Sequence, residues 1–233
     1  MDHGLYRAAG AMAAAGRTLD RVADDLANVG THGHKRRVVT QEFVEVLTAH
    51  GVQQASAPRV QTDFSQGDLQ MTGAPLHLAI EGAGFFAVES PEGELLTRNG
   101  AFQMTETGAV VDGNGWPVAF QGGAGALDPT GETPVVDGYG VVHQGPREVG
   151  RLSVVDFGTP ERLEEVGRGM WRATREAGER PAAGRVRQGA LERSNANAVE
   201  GLIELIANQR AYELASSTLQ QIDQSYRRLH QPR

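Results

Sequence analysis

Apolar residues recur every seventh position near the start of the chain, at Leu5, Met12, Leu19 and Leu26. A second set, three residues later, holds Ala8, Ala15, Val22 and Val29. This spacing predicts a helix that packs along another helix. Arg7, Arg17, Asp20, Arg21 and Asp24 fall on its other side, and Gly30 reads as a left-handed stop, with Gly33 in the turn that follows. At the far end Ala198, Leu205, Tyr212, Leu219 and Tyr226 repeat the seven-residue spacing, with Ala215, Ile222 and Leu229 three places on. Leu202 and Ile206 are expected to widen this second stripe. Asn197 followed by Glu200 reads as a capping box. Neither helix can bury its stripe alone: the two can pair within one chain, or each can pack against another copy.

Between the ends the apolar period drops to two. Leu76, Leu78 and Ile80 alternate with His77 and Ala79, and Phe85, Phe86 and Val88 form the next run. Pro91-Glu92-Gly93, Asn99-Gly100, Asp112-Gly113 and Asn114-Gly115 supply reversals. Further strands are expected at Val110–Val111, Trp116–Phe120, Val141–His143 and Leu152–Phe157, and a short helical turn from Pro160 to Val166. The expected class is therefore α+β: long N- and C-terminal helices forming a discontinuous coiled-coil-like helical domain, with a central all-β domain. The boundaries follow as 1–36 with 190–233 for the helices, 37–72 for an extended connector, 73–177 for the β-rich domain and 178–189 for an Arg- and Gly-rich linker.

Composition narrows the chemistry. The 233 residues include no cysteine, which removes thiolate nucleophiles, disulfide scaffolds and Cys-ligated metal. A formal charge of −7 without a basic tail argues against nucleic acid as the partner. No apolar run is long enough to insert in a bilayer. The opening Met1-Asp2-His3-Gly4 lacks the basic and apolar stretches of a secretory signal, so a chain working outside the cytosol is expected to leave without a cleaved one. His32-x-His34 with His3 has no acidic or cysteine partner at ligand spacing, so no metal is expected. Gly82-x-Gly84 reads as a turn, and Asp112-Gly113-Asn114-Gly115 lacks the spacing of a calcium loop. Lys35, with Arg36 and Arg37, reads as a solvated basic run, with a contact to acidic neighbours as the alternative. No catalytic, cofactor-binding or metal-ligating set stands out.

Three segments together resemble the axial proteins of the bacterial flagellum, the basal-body rod and hook family. The first is Leu26-Ala27-Asn28-Val29-Gly30-Thr31-His32-Gly33-His34-Lys35-Arg36. The second runs from Leu78-Ala79-Ile80-Glu81-Gly82-Ala83-Gly84-Phe85-Phe86 to Thr97-Arg98-Asn99-Gly100-Ala101-Phe102. Leu191-Glu192-Arg193-Ser194-Asn195-Ala196-Asn197 and Asn208-Gln209-Arg210-Ala211-Tyr212-Glu213 form the third. His34, Gly30 and His32 depart from the usual residues of the first signature. Met1 to Tyr6 is more similar to a proximal rod subunit, while Gln209 to Glu213 is closer to the distal form; the proximal rod is favoured.

The resemblance implies a structural, non-enzymatic subunit without cofactor. It implies polymerisation into the periplasm-spanning rod that carries torque to the hook, and export in unfolded form by the flagellar type III system. Implied partners are other copies of the chain, neighbouring rod and hook proteins and the export apparatus, with no nucleic acid and no membrane insertion. Leu5, Met12, Leu19, Val22 and Leu26 are expected to form one subunit-contact seam, and Leu205, Tyr212, Leu219, Ile222 and Tyr226 the other. Asn28, Gly33 and Lys35 are expected to shape the turn leaving the first helix. A hook-type subunit, a peptidoglycan-acting enzyme and a β-rich binding module with a helical stalk stand as alternatives.

Overall fold

The computed structural model describes residues 3–48, 51–122 and 125–229. The chain forms two compact units, one made by its two helices and the other by Gly30–Asn195.

The first helix, α1, runs His3–Ala27 and the second, α2, runs Ala198–Leu229. Alanine dominates α1, and alanine, leucine, glutamate and glutamine recur in α2, all residues that lose little freedom in a helix. At the end of α1 the amide of Asn28 donates to the Asp24 carbonyl at 3.1 Å and its side chain to the same oxygen at 2.9 Å. Gly30, expected as the left-handed stop, does not take that conformation; Gly33 does, at φ +70°. At the start of α2 the Asn197 side chain accepts from the amides of Val199 and Glu200, at 2.9 and 3.4 Å.

The helices run antiparallel against each other. Arg21 pairs with Glu204, Gly16 faces Tyr212, and Leu26 faces Gly201. Their contact corrects the expected fold class. Among the described residues two helices accompany a β-rich body, and they form no coiled-coil-like domain. Val22 is the one hydrophobic residue fully buried in α1 or α2 among the described side chains. Two helices touching along one line cover only a narrow stripe of each. On α2 that stripe holds Gly201, Leu205, Asn208, Ala215, Leu219 and Ile222, whereas Val199, Leu202, Ile203, Ile206 and Leu214 are exposed. At 100° per residue those exposed positions lie opposite the covered stripe. Leu202 and Ile206 therefore do not widen the seam but belong to a second apolar face. Neither helix is apolar enough to cross a membrane over the described residues.

The central β domain is present and antiparallel throughout. Its largest sheet has six strands, in the order Glu164–Gly167, Met170–Arg172, Gly93–Thr97, Phe85–Ser90, Val154–Phe157 and Glu179–Pro181. A four-stranded sheet orders Val135–Val136, Val141–Gln144, Arg147–Leu152 and Phe120–Gln121. The strand Phe85–Ser90 explains its unbroken apolar run: both its faces are covered. Phe86 and Val88 enter one core cluster with Leu78, Ile80, Leu95 and Phe102. Phe85 and Ala87 enter another with Leu96, Phe157 and Trp171. Edge-on ring contacts, Phe86 to Phe102 at 5.2 Å and Phe85 to Trp171 at 5.7 Å, tighten each side.

Two stretches differ from expectation. Residues 178–189 carry the strands Glu179–Pro181 and Arg185–Gln188 rather than a linker, the second pairing with Leu78–Glu81. Residues 37–72 form an antiparallel hairpin, Arg37–Thr48 with Gly51–Thr62, and the strand Leu69–Met71. Arginine and glycine suggested solvated chain, but arginine alternates with buried Val186 and lets its head stay in water. The turn after Pro160 closes as a 3-10 turn, Pro160–Arg162, before the strand Glu164–Gly167 begins.

Candidate functional site

The chain passes between its two units twice, at residues 29–30 and 195–196. Inside the body these two stretches lie side by side. The Gly33 amide donates to the Glu192 carbonyl at 2.8 Å, and the Asn195 amide to the His34 carbonyl at 3.3 Å. The Asn195 side chain accepts from the Arg36 amide at 2.7 Å and donates to the carbonyls of Asp63 and Ser65 at 2.8 and 3.1 Å. Glycine permits the approach at two points. A Cβ on Gly33 would stand 2.5 Å from the Arg98 carbonyl carbon, and one on Gly67 would stand 2.1 Å from the Arg193 carbonyl oxygen.

At the centre of this node three charged side chains are sealed from water. Lys35 Nζ donates to Glu192 Oε1 at 2.6 Å and to the Ser65 carbonyl at 2.6 Å. Arg98 Nη1 reaches Glu192 Oε2 at 3.3 Å, while its Nη2 donates to the Gly82 carbonyl at 2.9 Å. The Gly67 amide adds a further donor to Glu192 Oε1 at 2.9 Å. The side chains of Lys35 and Glu192 are 0% exposed and that of Arg98 is 4% exposed. The Arg98 guanidinium also lies 5.2 Å from the centre of the Phe85 ring.

Two cations thus share one carboxylate. Burial pulls the pKa of Lys35 below the ordinary lysine value, with the negative charge of Glu192 opposing the shift and the positive charge of Arg98 adding to it. Burial likewise lowers Arg98, again against Glu192. At the rim, Asp63 keeps its carboxyl below the usual range: burial opposes this, but bonds from Ser65 and Arg36 outweigh it. Arg36 Nε meets Asp63 at 3.1 Å.

This arrangement ties distant parts of the chain together. Lys35, Arg98 and Glu192 come from the three separate segments that carried the family resemblance, so those segments converge on one buried node. Lys35 is therefore not solvated but meets an acidic partner, the alternative its place in the basic run left open. Of the turn set, Gly33 takes a left-handed backbone after α1, Asn28 bonds back to Asp24 at its end, and Lys35 enters the node. Sequence reasoning missed Arg98 and Glu192 as functional residues. No local signal marks either, although Lys35, the sole lysine of the chain, was visible as an oddity. Of the seam positions, Val22 is buried; Met12, Leu19, Leu26, Leu205, Leu219 and Ile222 are half-buried; Tyr212 is 36% exposed beside Gly16. The side chains of Leu5 and Tyr226 lie outside the described residues. Among the described residues no group of three or more His, Asp or Glu side chains is placed to hold a metal.

A buried ionic node thus joins the two stretches by which the chain enters and leaves its β body. The comparisons with known proteins say which family such a chain falls in. The family described as flagellar basal body rod FlgEFG protein C-terminal matches residues 187–231, and the flagellar hook protein FlgE/F/G D1 domain matches residues 79–143. A flagellar basal-body rod protein FlgF of Mesorhizobium japonicum is 32% identical, the alignment covering 95% of this chain and 93% of that one. One of the same name from Caulobacter vibrioides is 34% identical, over 91% and 90%. A flagellar basal-body rod protein FlgG of Buchnera aphidicola is 30% identical, over 90% and 92%. The chain belongs to the flagellar basal-body rod proteins, as a structural subunit of the rod.

Proposed function

We propose that this chain works mechanically, without catalysis, as a polymerising segment of the rod, where it packs against copies of itself and against neighbouring axial proteins and passes torque towards the hook. The carrying observation is the uncovered face of α2, where Val199, Leu202, Ile203 and Ile206 stand in water on the side away from α1. An exposed stripe of large aliphatic residues is costly in a lone subunit and gains most when another surface covers it. The seam set Leu5, Met12, Leu19, Val22 and Leu26, with Leu205, Tyr212, Leu219, Ile222 and Tyr226, would be closed over in the same assembly. Helices this sparsely covered order fully only when neighbours complete them, so polymerisation is coupled to folding. That coupling suits export of an unfolded chain without a cleaved signal, and a chain without cysteine needs no disulfide on arrival.

In the whole chain, Leu19→Asp with Leu219→Asp, and separately Ile203→Asp with Ile206→Asp, should abolish incorporation into isolated basal bodies and stop swimming. Normal rods built from either pair would overturn the reading.

A further inference from the structure

The body carries a cleft of about 560 Å³ that no part of the node uses. Buried Leu152 and Val186 line it, and three arginines, Arg151, Arg180 and Arg185, stand around it against the carboxylate of Glu179 and that of Asp156, which Arg180 already meets. Such a gathering of positive charge in a chain of net −7 is a local field of the opposite sign to the average. Each arginine is steadied by one contact and keeps further N–H donors. Arg151 Nε donates to the Tyr139 carbonyl at 3.0 Å, and Arg180 Nε to Asp156 Oδ2 at 2.7 Å. Arg185 lies 5.7 Å from the centre of the Tyr139 ring. Guanidinium forks held in this way select carboxylates.

On the same body, near enough to Glu179 of the cleft for its charge to act on Glu94, the hairpin joining the strands Phe85–Ser90 and Gly93–Thr97 has the reverse excess. Glu89, Glu92 and Glu94 occupy six consecutive residues with no basic one among them, and all three are exposed. Glu89 and Glu94 face each other across the two strands. Like charges placed opposite destabilise a hairpin unless a cation relieves them. Neither forms an ion pair among the described residues; Glu92 alone reaches Arg172, at 3.3 Å. Partial loss of water at the carboxyl first, then the negative charges of Glu179 and Glu89, hold Glu94 above the ordinary range although the residue as a whole is exposed. The turn itself is firm, with Ser90 Oγ donating to the Gly93 carbonyl at 2.7 Å.

We propose that the arginine cleft of one copy receives the acidic Glu89–Glu94 hairpin turn of a second copy. The inference rests on the rod-subunit reading, in which the chain meets copies of itself. Cleft and turn are built of different residues, so the contact is head-to-tail and each copy keeps one of each for the next. Bidentate pairs from Arg151 and Arg185 to the hairpin carboxylates would supply the cation that Glu89 and Glu94 lack.

The absence of cysteine makes cross-linking a clean test on the full chain. A Pro91→Cys variant mixed with an Ala183→Cys variant under mild oxidant should form a disulfide-linked dimer about tenfold faster than with a Thr130→Cys control. Adding Arg151→Glu and Arg185→Glu to the Ala183→Cys chain should erase that advantage. Adding Glu89→Arg and Glu94→Arg to its Pro91→Cys partner should then bring it back. Equal rates with cleft and control cysteines, or no recovery in the doubly reversed mixture, would overturn the contact. The chain's presence in isolated basal bodies, with that result, would leave the rod reading standing and remove only the cleft.

Discussion

Glu192 is the residue on which the node depends, because it is the shared acceptor for Lys35, Arg98 and the Gly67 amide. Removing its charge leaves two cations without a counter-ion in a site that excludes water. Glu192→Gln is expected to cost about 3–5 kcal/mol, read as a lowered urea midpoint of the body, whereas replacing all three side chains by apolar ones of similar volume should recover much of the loss. Lys35 adds a pH signature. Its pKa in the folded chain lies below the ordinary 10.5, so an unfolded lysine holds its proton to higher pH than the folded one. Between those two values unfolding takes up a proton, and the stability linked to Lys35 therefore rises with pH across that window. Denaturation midpoints followed from neutral into alkaline solution should show this rise in the native chain and a shallower one in Lys35→Met.

At the scale of elements, α2 shows what a heptad count sees and what it misses. Spacing by sevens marks positions that recur along one line, and Leu205, Leu219 and Ile222 do fall on the covered stripe. The same count is blind to Val199, Ile203 and Leu214 on the reverse side, and so it suggested a coiled-coil domain where two helices merely touch. Strands were easier to read. Alternation at Leu78 and Ile80, and turn residues at short intervals, announced the β body, because a strand's period of two is local. The strands of residues 178–189 escaped, since arginine at every second place hides a buried valine between charges. Arg98 and Glu192 escaped for another reason: their pairing spans 94 positions, and nothing near either residue records the other. The thin contact between α1 and α2 also makes a prediction. Val22→Asp puts a charge at the one aliphatic position on α1 that is fully buried among the described side chains and should lower helical circular dichroism while the body's melting temperature stays unchanged.

For the molecule as a whole, the node brings the start and finish of a 166-residue body, Gly30 to Asn195, within hydrogen-bond distance of one another through Gly33, His34, Glu192 and Asn195. Seen from the two helices, that body is a cassette with a single doorway. Loops inside it can lengthen or shorten without shifting the register of the threads that enter and leave. Any other insert whose ends meet at the same spacing could be exchanged for it, as happens when domains are grafted at adjoining termini. A chain of this design can change the length of its body while the doorway, closed around the carboxylate of Glu192, keeps its span.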